Sequence, residues 1–156
     1  MKKILIFLAS IVICEGAGII GSIFTAPSVD SWYRTIERPS FNPPDWVFAP
    51  VWTLLFLLMG VSLFLIWKNG VNKKNKKAII LFFIQLVFNI LWSVMFFGLE
   101  SPLLGFIVIV VLWIFILKTI LAFRDLSKIA AWLLIPYIAW VSFAALLNLS
   151  ILILNL

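Results

Sequence analysis

The chain has 156 residues, 65% of them hydrophobic and 12% charged, with a formal net charge of +6 and no histidine, and its mean hydropathy is +1.22. A composition this apolar excludes a water-soluble globule and places the chain in a bilayer. The missing histidine removes the commonest metal ligand, general base and haem axial ligand together, so neither a metal site nor a required cofactor is expected; one cysteine leaves no intrachain disulfide.

Five apolar runs follow one another, at about residues 4–25, 46–67, 78–98, 103–123 and 130–153. Each is close to the ~20 residues that cross a hydrocarbon core. The expected fold is therefore an all-α integral membrane protein, a single domain over residues 1–156. It is a compact bundle of five transmembrane helices with a long proline- and tryptophan-rich loop between the first two.

The first run opens with Lys2 and Lys3, as a signal peptide would, but its apolar character continues past Cys14 through Phe24. Ile13 is also bulky where lipoprotein processing wants a small residue, so a retained span is expected. Gly18 and Ser22 offer a small-xxx-small face for close helix packing. Glu15 is the one acid deep inside a span. Such a group is a functional candidate because its burial is costly; the alternatives are a carboxyl hydrogen-bonded within the bundle, or one lying nearer the interface.

Residues 26–45 form the longest interruption between apolar runs, and the segment Trp32 to Trp52 dominates it. Loops of this length tend to be functional. Pro27, Pro39, Pro43, Pro44 and Pro50 fix backbone angles and remove donors, so the loop loses little entropy on adopting one shape. With Trp32, Tyr33, Phe41, Trp46, Phe48 and Trp52 as rigid flat surfaces, it reads as a lid.

The second run ends at Trp67 and Lys68, and Trp46 and Trp67 stand where interfacial aromatic belts are expected. Lys68, Lys73, Lys74, Lys76 and Lys77 make the next connection a solvated, topology-setting loop. Five spans then put Lys2, Lys3, these five lysines, Lys118, Arg124 and Lys128 on one face and only Arg34 and Arg38 on the other. By the positive-inside rule the amino terminus and the lysine loop are cytoplasmic in a bacterial-type cell membrane, and the proline loop and carboxyl terminus lie outside. This placement accounts for the positive charge without a nucleic-acid partner.

In a membrane helix the informative side chains are polar or aromatic. On the third span Gln85, Asn89, Trp92 and Phe96 share one helical face, and on the fifth Tyr137, Trp140, Ala144 and Asn148 form a similar stripe, with Pro136 able to kink the helix before it. Trp52 and Phe56 are one turn apart on the second. If these faces converge, they enclose a pocket with flat aromatic walls and a few amides. The competing reading is that Gln85, Asn89 and Asn148 are interhelical glue and the aromatics core.

The run Trp32-Tyr33, Arg38-Pro39, Pro43-Pro44, Phe48, Pro50-Val51-Trp52 resembles the first-loop signature of the translocator protein family, also called tryptophan-rich sensory proteins or peripheral-type benzodiazepine receptors. The likeness continues through Gln85-Leu86, Asn89, Trp92, Phe96-Phe97, Pro136-Tyr137, Trp140, Phe143-Ala144 and Leu147-Asn148. The resemblance implies a five-helix bundle, often a homodimer, with a pocket under the first loop for porphyrins and isoquinoline or benzodiazepine ligands. The implied contacts are Tyr33, Pro43, Phe48, Trp52, Phe56, Asn89, Trp92, Phe96, Trp140, Ala144 and Asn148. Arg38 stands where the family often has lysine. The cholesterol-recognition motif of animal members has no counterpart in Leu149 to Leu156, which argues against specific sterol binding.

Three functions follow as expectations. The first is a membrane receptor or sensor that binds a protoporphyrin IX-like tetrapyrrole in the intramembrane pocket and affects its transport or stress signalling. The second is light- and oxygen-dependent porphyrin degradation, with Trp52 and Trp140 as the photochemical candidates, because no conventional catalytic constellation can be assembled. The third is passive transport of tetrapyrroles or other lipophilic ligands. Arg34 and Arg38 are candidate partners for ligand propionates.

Overall fold

A computed structural model describes residues 1–156. Helix α1 runs Lys2–Val29, α2 is the single turn Trp32–Thr35, α3 runs Phe48–Trp67 after a 3₁₀ turn at Asp45–Val47, and α4 runs Lys76–Ser93 and continues as a π-helical turn over Val94–Gly98. Helices α5, Pro102–Arg124, α6, Lys128–Leu133, and α7, Ile135–Leu154, complete the chain. Five of these helical stretches are long and apolar enough to cross a membrane, the last being α6 and α7 together.

Most limits agree with the apolar runs to within about two residues, and the local chemistry explains them. Ser101 accepts from the Leu104 amide and Pro102 follows at the first helical position, a pairing that starts α5 cleanly. Ser127 does the same for α6 through the Ala130 amide. Asn75 closes the lysine loop by donating to the Ile66 and Gly70 carbonyls at the end of α3. Pro136 has no amide to offer the preceding turn, and the last span breaks at Leu134, one residue before α7.

The first span differs from expectation, since α1 continues four residues beyond Phe24 and Thr25 to Val29 and encloses Pro27. A proline in the final turn forfeits one backbone bond only, and the Ser31 hydroxyl donates to the Pro27 carbonyl, one of the acceptors the helix end leaves without a backbone donor. The loop proper therefore begins at Asp30.

Around the bundle α1 packs on α3 and α4, α4 on α5, α5 on α6 and α7, and α6 back on α3. The spans form a closed ring in the order first, third, fourth, fifth, second. Helices α3 and α4, consecutive in sequence, face each other across this ring with little direct contact. Large apolar side chains such as Val12, Ile20, Val87, Ile107, Ile114 and Leu146 cover the outside, as a lipid-facing surface requires.

The inner face of α1 is Ser10, Cys14, Ala17, Gly21 and Ser28. Every one is small, which lets α1 approach its neighbours closely. A Cβ at Gly60 of α3 would lie 2.9 Å from the Ile11 Cα and 3.1 Å from the Ser10 carbonyl oxygen, so the α1–α3 seam is closed by backbone contact there. The close-packed positions of α1 are Gly18, against the Phe56 ring, and Gly21, against Ser93. Ser22 is not the second member of that face: it is exposed, and its hydroxyl bonds the Ile19 carbonyl at 2.7 Å.

Candidate functional site

A cavity of about 390 Å³ lies between α1, α3 and α4. One wall is aromatic, made of Phe48, Trp52, Phe56, Trp92 and Phe97; the other is α1, with the small residues Ala17, Gly18, Gly21 and Ser22. It runs along α1 from Glu15 to Asp30, about 22 Å at helical rise. Size and lining suit a small aromatic ligand.

Trp52 is the centre of the aromatic wall. Its ring lies 5.7 Å from Phe56, 6.0 Å from Trp92 and 6.4 Å from Tyr137, and Trp92 stacks on Phe96 at 5.8 Å. The π-helical turn after Ser93 adds a residue to the helical repeat, so that the consecutive Phe96 and Phe97 are both buried, ring to ring at 4.7 Å.

Of the eleven sequence-predicted contacts, Phe48, Trp52, Phe56, Asn89 and Trp92 line this cavity. The other six do not. Phe96, Ala144 and Asn148 are buried behind the wall, at 2%, 6% and 1% exposure. Tyr33 and Pro43 belong to the loop, and Trp140 lies beside Phe48 and Phe143, at 6.2 and 5.5 Å between ring centres.

The stripes of the third and fifth spans do converge, but on each other. Asn89 donates to the Tyr137 hydroxyl at 2.8 Å, and that hydroxyl donates to Gln85 Oε1 at 2.7 Å. Trp92 Nε1 donates to Asn148 Oδ1 at 3.1 Å, and Asn148 Nδ2 donates to the Pro102 carbonyl at 2.8 Å. Gly105 permits this closure, since a Cβ there would stand 2.8 Å from Phe96 and 2.9 Å from Asn148 Oδ1. The expected enclosure between the third and fifth spans is thus filled by its own polar partners, and the open volume lies on the opposite side of Trp52. The Trp140 indole N–H is left buried with no acceptor.

The loop folds onto the end of the bundle around Tyr33, which is 2% exposed. Its hydroxyl donates to Asn42 Oδ1 at 2.6 Å, the Arg38 guanidinium lies 5.0 Å from its ring centre, and its ring contacts Phe48, Phe96 and Phe97. Burial pushes the Tyr33 phenol up to about 12, with Arg38 acting in the opposite direction. Asn155, just past α7, holds the loop from the far side: its amide accepts from the Glu37 N–H at 3.0 Å and donates to the Glu37 carbonyl at 2.9 Å. No periodic signal marks Asn155, because its partner is 118 residues away.

Arg34 and Arg38 are not free cations. Arg34 pairs with Asp30 at 2.8 Å and Arg38 with Asp45 at 3.2 Å, so both are already neutralised by acids at the loop end of the cavity. Glu15 lies at the other end, lining the cavity, and neither ion pair involves it. It is part of the cavity lining.

The fold and cavity together define a multi-pass integral membrane protein with an aromatic-walled cavity inside the helix bundle. A profile of the TspO/MBR family matches residues 10–154, and the chain belongs to that family. It is 48% identical to the tryptophan-rich protein TspO of Chlorobaculum tepidum, over 99% of this chain and 98% of the relative. It is 31% identical to the tryptophan-rich sensory protein of Cereibacter sphaeroides, over 96% and 91%, and 34% identical to the translocator protein of Homo sapiens, over 83% and 78%.

Proposed function

We propose that this protein is a membrane receptor or sensor that takes a planar lipophilic ligand of the porphyrin class into the cavity between α1, α3 and α4. The observation that carries the reading is the wall itself: Phe48, Trp52, Phe56 and Trp92 converge on one open volume, beside a helix face too small to fill it. The family membership and the sensory names of relatives support the receptor class. Burying roughly 400 Å² of apolar ligand surface from water would contribute on the order of 10 kcal/mol before association costs. A ligand arriving from lipid gains little of that, so ring stacking on Trp52 and Trp92 supplies the selectivity. Propionates would lie at the loop end, where Arg34 and Arg38 can be shared with their acids. A ligand edge reaching past Phe48 would give the Trp140 N–H the acceptor it lacks.

Isoquinoline and benzodiazepine ligands fit the same wall. The distribution of basic residues supports an amino terminus and lysine loop on the cytoplasmic side. A second reading, light-driven degradation of the bound porphyrin, is favoured by one observation: Trp52 lines the cavity and stands within 6.4 Å of both Trp92 and Tyr137, which makes it the better placed of the two photochemical candidates.

The test is a tryptophan-fluorescence titration with protoporphyrin IX in the dark, followed by absorbance under illumination, using the wild type, Trp52→Phe and Trp140→Phe. Saturable quenching that weakens in Trp52→Phe supports the cavity, and bleaching of the porphyrin band supports the photochemical reading. Non-saturable quenching identical in all three proteins would mean partition into detergent and would remove the porphyrin site.

A further inference from the structure

We infer that the cavity accepts a second class of ligand, a lipophilic aromatic amine whose protonated nitrogen sits against Glu15. The inference rests on the reading of this cavity as the ligand site and adds a charge preference at its deep end. Glu15 lies 13 residues beyond Lys2 in a helix of 28 residues, roughly 20 Å from the amino-terminal end, which puts its carboxyl near mid-bilayer. Its side chain is too short to reach either headgroup layer.

No cation of the chain reaches it. The cavity lining contains no lysine or arginine, and the two arginines on the loop side are held by Asp30 and Asp45. A carboxylate at that depth is costly unless something compensates it.

A second acceptor in the same lining is also unmet. Asn89 is 4% exposed, and its Nδ2 is committed to Tyr137, whose own proton goes to Gln85. In this order of donors Asn89 Oδ1 has no protein donor. Two acceptors and an aromatic wall of Trp52, Phe56 and Trp92 match one ligand chemistry: an N–H-bearing cation joined to a flat ring system, the nitrogen ion-paired and the rings stacked. An anionic group at this end would instead meet Glu15 as a like charge.

The experiment uses the full chain in non-ionic detergent at neutral pH and two probes of nearly equal shape, 1-pyrenemethylamine and 1-pyrenemethanol, read by tryptophan-to-pyrene energy transfer. The amine is expected to bind saturably and about tenfold or more tighter than the alcohol. Glu15→Gln is expected to bring that ratio to about one, while Glu15→Asp retains a preference for the amine. Equal affinities in the wild type, or a preference that survives Glu15→Gln, would overturn the inference. If Glu15→Gln does not fold, the wild-type ratio and Glu15→Asp decide it. Saturable binding of the alcohol in any of these outcomes leaves the cavity standing as a ligand site. Non-saturable transfer from both probes, unchanged in Trp52→Phe, would overturn the cavity reading and the inference together.

Discussion

On the side of α4 that faces α7, the amides of the core are spoken for: Asn89 donates to Tyr137, Tyr137 to Gln85, Trp92 to Asn148 and Asn148 to Pro102. On the side that faces α1 and α3, the same helix shows aromatic faces and an unmet Asn89 oxygen to an open cavity. Both sides are built from aromatics and amides, so residue type does not separate core from site. What separates them is the opposing surface. Helix α7 brings Tyr137 and Asn148, long enough to reach across, whereas α1 brings Ala17, Gly18 and Gly21 to the cavity, which cannot.

This contrast can be broken most severely where α1 and α3 meet below the cavity. Gly60→Ala forces a methyl group against the Ile11 backbone, which cannot rotate away, and is expected to cost about 3 kcal/mol. Loss of helicity at lower denaturant, together with loss of ligand binding, is the expected result; a neutral effect would mean that the seam is looser than its geometry.

Asn148→Ala attacks the closed side. It strands the Trp92 N–H and the Pro102 carbonyl, for an expected loss of about 2 kcal/mol, moderated because hydrogen bonds in membrane bundles average well under that each. Thermal unfolding in detergent would show it. Ligand affinity should fall less than in Trp52→Phe, because Asn148 stands behind the wall; an equal fall would join the two sides into one site.

Smaller effects are expected in the loop. Pro43→Gly with Pro44→Gly frees the unfolded loop by about 1 kcal/mol, and Asn155→Ala removes the two bonds to Glu37. Each should weaken porphyrin binding a few-fold, on the order of 1 kcal/mol, with helicity by circular dichroism unchanged. Unaltered affinity in both would take the lid out of the mechanism.

The last effect is silent at neutral pH. Because the folded phenol of Tyr33 lies above its ordinary value of 10.0, at about 12, the folded state holds its proton more tightly than the unfolded one. The stability from neutral Tyr33 is therefore complete below pH 10 and is lost as pH rises from 10.0 through about 12. Loop opening followed by tyrosinate absorbance should appear in that window and vanish in Tyr33→Phe; a pH-independent loop would argue against the buried hub.

Several of these features are legible in the sequence. The composition demands a bilayer, the apolar runs set the five spans, and the proline-rich loop marks the end where the bundle is capped. Helical spacing also puts Gln85, Asn89, Trp92 and Phe96 on one inward face, and all four are buried. The end of α1 was harder to read because Pro27 signals a stop, yet costs little in a final turn. The pairing of Arg34 and Arg38 with Asp30 and Asp45 is hidden in the sequence, because these partners become neighbours only once the loop folds.

What periodicity determines is which face of each helix is special; it carries no information about which helix that face will meet. In water a hydrophobic gradient would help, but inside lipid every outer face is as apolar as the next and packing selects the neighbours. The ring order, the pairing of the third and fifth polar faces, and the open volume beside the small face of α1 are therefore products of tertiary packing. Trp52 and Asn89 were identifiable from their own helices; that Asn148 closes a wall while Glu15 opens onto a cavity was decided by the side chains opposite them.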